Sequence, residues 1–303
     1  MSTANSQPIT QAALVTNPLM LAVRGPWTIA RYTFREGIRK KLLVGFLLLS
    51  LLVIFGSSFL GAFLDPTTVG NVESDINLKL VKDICVTTIS IFGVLITIFM
   101  SAMAVPNELE NRVIYTVLTK PVRRLQYLLG KFLGVQLIVI VNLALMGGLF
   151  FLVLLLREGI FPTLLLWSIL LTYFEFLIVS AFTFALSCAA TSSVLPTVGG
   201  LFVWIVGTLT EYLRGVRVRS GWDGEWSTFF DDFTLERLVG AVAEALYMVL
   251  PNLQHFSLKT QILENMSNQP PSDVFVPRLA LYALTYAAAG LVLAYTIFRR
   301  KEL

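Results

Sequence analysis

Residues 42 to 64 read LLVGFLLLSLLVIFGSSFLGAFL, twenty-three positions without a charge. A bilayer core of about 30 Å takes about 20 apolar residues of helix, so this stretch alone predicts a membrane span. It starts at residue 42 and is longer than the roughly 7 to 15 residues of a secretory h-region, which makes it an anchor rather than a cleaved signal peptide. Similar runs follow at 84 to 105, 132 to 156, 163 to 187, 194 to 213 and 279 to 298, and only spans four and five contain a charge, Glu175 and Glu211. The expected fold is therefore an all-α membrane protein with six transmembrane helices.

Composition agrees. Of the 303 residues 56% are apolar and 14% charged, against about 25% charged in soluble domains, and the mean hydropathy is +0.76. These values exclude a disordered tail, and a net charge of +4 is too small for a basic nucleic-acid binder. The single histidine, His255, rules out a histidine-based metal cluster, and no metal site is expected. Cys85 and Cys188 are too few for a disulfide framework. They fall at opposite ends of their spans, so bilayer thickness keeps them from bonding. Met100 and Met103 form a helical pair that reads as core, since soft ligands are too few for copper. His255 beside Ser257 offers no third member of a catalytic triad, so no catalytic residue is assigned.

Basic residues set the direction. With the N-terminus inside, the segments at 1 to 41, 106 to 131, 188 to 193 and 299 to 303 hold 14 basic and 4 acidic residues, while those at 65 to 83, 157 to 162 and 214 to 278 hold 9 basic and 13 acidic. Both termini are then cytoplasmic. Four parts are expected: a cytoplasmic tail at 1 to 41, spans one to five at 42 to 213, an outer segment at 214 to 278, and span six with its basic tail at 279 to 303. Within the outer segment, LERLVGAVAEALYMVL at 235 to 250 is short and broken by Glu244. It reads as an interfacial or re-entrant helix stopped at Pro251 rather than a seventh crossing.

Two inner segments carry more information. In RGPWTIARYTFREGIRKK (24 to 41), Trp27, Ala30, Phe34 and Ile38 recur at helical spacing while Arg31, Arg35 and Arg39 take another face, which predicts a helix flat at the headgroups. It serves either as a membrane anchor or in a mechanical role. The loop PNELENRVIYTVLTKPVRRLQYLLGKF (106 to 132) predicts a helical elbow. Asn107 with Glu110 fits a capping pair, Glu108 favours the positive end of the helix dipole, Ile114, Tyr115, Val117 and Leu118 form an apolar side, and Pro121 ends the helix. A second helix should send Leu125, Leu128, Leu129 and Phe132 to the bilayer and Arg123, Arg124 and Lys131 to phosphates. Either a partner docks on this elbow or it touches only lipid.

Together, ENRVIYTVLTKPVRRLQYLLGKFLG, the N-terminal TFREGIRKK, the LPNLQHF at 250 to 256 and the terminal FRRKEL resemble ABC transporter permeases of the type-two exporter class, most nearly the branch labelled as permeases for multicopper-enzyme maturation. The resemblance covers both ends and the middle of the chain. It implies a multi-pass permease subunit of the inner (cytoplasmic) membrane, pairing with a second permease, a copy or a paralogue, and with two ABC ATPase subunits. ATP and Mg would be bound by the partner ATPase and no cofactor by this chain. Carried over, the ATPase-coupling element is Glu108, Glu110, Arg112, Tyr115, Lys120, Pro121 and Arg123. The motor motif G-x-x-x-x-G-K-[ST] is missing: Gly130-Lys131 has Leu125 where the first glycine is required.

Within the spans, an ionised Glu175 costs about 2 to 3 kcal/mol at mid-bilayer, so it should face protein or water. Asn142 sits at similar depth and offers a hydrogen bond. The pair is either a clasp between helices or a substrate or proton site, the latter giving the alternative of a proton-coupled secondary transporter. Such a transporter usually shows more intramembrane charge and an internal duplication, which this sequence lacks. Ala181, Ala185 and Ala189, and Ala283 with Ala287, form small-residue ridges suited to close helix packing. Glu211, three residues before Arg214, reads as half of a surface pair.

Overall fold

The computed structural model describes residues 18–63, 71–110, 124–158, 163–210, 212, 238–239, 242, 244, 251–257 and 275–300. Its helices are α1 (Pro18–Ile38), α2 (Lys41–Phe63), α3 (Asn71–Ala102), α4 (Pro106–Glu110), α5 (Arg124–Glu158), α6 (Thr163–Ala189), α7 (Val194–Thr208) and α8 (Phe275–Arg300), with a 3₁₀ turn at Gln254–Phe256. Every regular element among the described residues is helical, as the span pattern predicts. Among the described residues, five helices are long and apolar enough to cross a membrane. The run at 194 to 213 is represented by α7, 15 residues or about 22 Å of helix.

From α2 onward the long helices alternate in direction. Glu108 of α4 meets the start of α5, and Arg124 Nη1 donates to the Arg299 carbonyl near the end of α8 at 3.3 Å, so these termini share one end of the bundle, called here the elbow end. At the far end, Leu253 N donates to Gly207 O (3.1 Å) and Gln254 Nε2 to Thr208 O (2.6 Å). These bonds satisfy carbonyls that the last turn of α7 leaves without helical donors. Asn252 N donates to the Tyr282 hydroxyl, and buried Phe256 packs on the Tyr282 ring. The LPNLQHF stretch therefore caps α7 and ties it to α8. Of the expected helix at 235 to 250 only Leu238, Val239, Val242 and Glu244 are described, and Glu211 with Arg214 lies outside the described residues.

Helices α3, α5 and α6 form the centre, where Phe150, Phe176, Phe184, Ile96 and Ile98 are buried and Phe132 packs on Phe184 at 5.6 Å. Helix α2 is peripheral and leaves Leu48, Leu52 and Phe55 at least 60% exposed. A contiguous patch of that kind is a liability in water but is at home against lipid tails. The alanine ridges do bring helices close. A Cβ added to Gly290 of α8 would lie 3.0 Å from that of Ala181 on α6, and Ala283, Ala287 and Ala294 are buried on the same strip. Ala189 is exposed at the helix end.

Helix α1 departs from the flat arrangement. A Cβ on Gly130 of α5 would lie 2.7 Å from Pro26 O, and one on Gly134 would lie 2.8 Å from Ala30 O. Gly37 in turn abuts Ile138. Contacts that advance together along both helices mean that α1 runs beside α5, in the same direction, for more than three turns; a helix lying across a span would touch it in one place. The physical reason is the inner strip Ala30, Thr33 and Gly37, small residues that let two backbones approach. Trp27 and Ile38 are consequently exposed, as are Arg31, Arg35 and Arg39.

Candidate functional site

An ionic cluster with a buried Lys131–Glu108 centre and a partly exposed Glu36 joins α1, α4 and α5 at the elbow end. Lys131 is 2% exposed. Its ammonium pairs with the Glu108 carboxylate, which also accepts the Tyr127 hydroxyl. Glu36 lies 4.0 Å from Lys131 and 3.7 Å from Lys40. The Lys131 ammonium is also 6.0 Å from the centre of the Tyr32 ring, within cation–π range. Burial pushes the Lys40 ammonium below the ordinary lysine value, and Glu36 works against that shift. Two carboxylates face two ammoniums, so the cluster is neutral overall, as buried charges require.

Local sequence explains how each group arrives. Tyr127 and Lys131 are four residues apart on one face of α5, whereas Lys40, four residues after Glu36, lies in the turn between α1 and α2, where Lys40 N donates to Gly37 O at 3.0 Å. Tyr127 also stacks on Phe298 of α8 at 5.8 Å. Helix α4 begins at Pro106, whose fixed φ suits the first helical position. The expected cap residue Asn107 thus lies inside α4, whose cap position is Val105, two residues earlier, and Glu108 N donates to Val105 O at 3.1 Å.

This geometry corrects several expectations for the second elbow helix. Lys131 points into the protein and not to phosphates, because Glu108 is there to pair it. Leu128 (1% exposed) and Phe132 (5% exposed) face the bundle, while Leu125 is exposed as expected. Among the expected coupling residues, Glu108 is an internal strut. Glu110 closes α4, with its side chain outside the described residues, and Arg112, Tyr115, Lys120, Pro121 and Arg123 lie outside them entirely. Sequence reading missed the partnership of Glu36, Tyr127 and Lys131, for which the i,i+4 spacings were a signal. It also missed Gly130 and Gly134, whose G-x-x-x-G spacing is a known mark of close helix approach.

Inside the spans, the polar clasp exists with a different partner. Trp204 Nε1 of α7 donates to Glu175 Oε1 at 3.1 Å, whereas Asn142 Nδ2 donates to the Ile138 carbonyl of its own helix. Gln136 Nε2 donates to Ser180 Oγ across α5 and α6. Cys85 and Cys188 are buried thiols outside any disulfide, with Cys85 Sγ 3.3 Å from Ser57 Oγ. Met100 is buried in the core. Among the described residues no group of three or more His, Cys, Asp or Glu side chains is placed to hold a metal.

A bundle of long apolar helices defines a multi-pass membrane protein. Residues 27–217, well over half of the chain, match the ABC-2 family transporter protein family, and the chain belongs to it. No curated protein matches the chain. Membership makes it a transport component, an ABC permease subunit by its membrane domain.

Proposed function

We propose that the chain is the membrane-spanning subunit of an ATP-driven exporter in the inner membrane, with six spans and both termini cytoplasmic. Two copies of a separate ABC ATPase would dock on the elbow at 106 to 131, and ATP binding would rock the spans between two states. Among permeases of this type, the order and spacing of the sequence motifs favour the branch associated with multicopper-enzyme maturation.

The observation that carries this reading is the Lys131–Glu108–Tyr127 cluster. An elbow can transmit force only if its root is stiff, and here the root is fastened to α5 by the buried Lys131–Glu108 pair, with the partly exposed Glu36 of α1 4.0 Å from the same ammonium. A second permease is supported by α7 and two residues beyond it, Leu209 and Tyr212. Leu195, Val198, Phe202, Ile205, Leu209 and Tyr212 are all exposed at alternating spacings of three and four, the seam of a helix that packs along another.

The test is copurification from detergent with the ATPase encoded nearest to this chain. A Tyr115→Asp, Leu118→Asp variant is expected to lose the ATPase while remaining monodisperse; undiminished ATPase recovery would contradict the docking claim.

A further inference from the structure

A cleft of about 260 Å³ lies between the start of α2 and the end of α3, beside α4. Leu43, Phe46, Phe99 and Met103 give it apolar walls, and Phe46 stacks on Phe99 at 5.6 Å. Lys40 and Lys41 line it at the point where α2 begins. Lys41 is exposed and Lys40 is shared with Glu36.

The arrangement is amphipathic along one axis: thioether and aromatic groups along the wall, ammonium groups at one end. Water in such a cleft would find few hydrogen-bonding partners. A neutral hydrocarbon would satisfy the walls and ignore the lysines. An anion there would also relieve the desolvation that Lys40 suffers. The cleft flanks α2, the span whose other face is turned to lipid, so its natural source of ligand is the bilayer.

We propose that the cleft between α2 and α3 binds one acidic phospholipid, its acyl chain along Phe46, Phe99 and Met103 and its phosphate on Lys40 and Lys41. The site requires only that α2 and α3 span a bilayer, so it stands or falls apart from the ATPase reading. Because Lys40 also holds Glu36, the headgroup and the ionic cluster share one ammonium.

The experiment uses the full chain in phosphatidylcholine nanodiscs carrying a trace of phosphatidylglycerol with a diazirine on its acyl chain, read by peptide mass spectrometry. Label is expected on residues 42 to 46 and 96 to 103. Each lysine near an acidic headgroup favours binding about fivefold, so Lys41→Gln should lower that label about fivefold and Lys40→Gln with Lys41→Gln roughly thirtyfold. Lys41 is exposed, so the single variant tests the site even where the double variant fails to assemble. Labelling at Leu281, Leu284 and Val292, exposed on α8, should be unchanged. The proposal is overturned by equal labelling from a phosphatidylcholine probe, by label spread evenly over the lipid-facing surface, or by a Lys41→Gln variant that labels like the parent.

Discussion

Replacing Lys131 with Met removes the cation from a pair whose side chains are 2% and 7% exposed, leaving the Glu108 carboxylate buried with little water to screen it. Breaking such a pair from one side costs about 3 to 5 kcal/mol. Glu108 keeps the Tyr127 hydroxyl, and a hydrogen bond to a charged acceptor offsets about 1.5 to 3 kcal/mol, so the lower end of that range, about 3 kcal/mol, is expected. Lys131→Met with Glu108→Gln should be much milder, since neither charge is then stranded and Gln still accepts from Tyr127. A double-mutant cycle on reversible unfolding in mixed micelles, followed by tryptophan fluorescence, should return a coupling of at least about 2 kcal/mol. A single variant within about 0.5 kcal/mol of the parent, or losses that simply add, would refute the claim that this pair fastens the elbow.

Gly134→Val places a side chain where Ala30 O stands, and overpacking of this kind costs about 1 to 3 kcal/mol. Helix α1 should loosen from α5, and a cysteine installed at buried Ala30 should react faster with maleimide than in the parent. Cys85 and Cys188, both buried, should stay unlabelled in native membranes and react fully only after denaturation; rapid labelling of either would mean the packing around it is wrong. Glu175→Gln keeps an oxygen for the Trp204 N–H, so stability should change by less than about 1 kcal/mol with ATP-driven transport retained; loss of transport in a well-folded variant would favour a proton relay instead. Trp204→Phe removes the donor and leaves a carboxylate at membrane depth, for an expected loss of about 1 to 3 kcal/mol in the same unfolding assay.

Five of the six expected spans were legible as long apolar helices because the bilayer imposes one rule on every crossing helix, a length of apolar sequence that needs no knowledge of neighbours. The alanine ridges were legible for a related reason, since small residues at helical spacing have few uses other than close approach. Helix α1 was harder. Trp27, Phe34 and Ile38 dominate its apolar pattern, but its packing face is Ala30, Thr33 and Gly37, residues that register weakly on any hydropathy scale. Which strip is buried depended on the glycines of α5, a hundred residues away. The partner of Glu175 was equally remote: Trp204 lies on a neighbouring helix whose rotation the sequence leaves open.

The charges of the elbow show where pattern reading reaches its limit. A lysine near the end of an apolar helix has two ways to be stabilised, by phosphate and water outside or by a carboxylate inside, and the local sequence LLGKF is the same for both. What decides is a counter-charge that is distant in the chain, and Glu108 supplies it only because Pro106 starts α4 where it does. The same residue that fits a docking motif in sequence is therefore turned inward in the fold. On the proposed docking, partner contacts would fall on the neighbours of Glu108, which is itself buried. A charge substitution at Glu108 should accordingly lower stability before it lowers partner affinity, whereas one at Tyr115 should do the reverse, and measuring both quantities on both variants separates a strut from a contact.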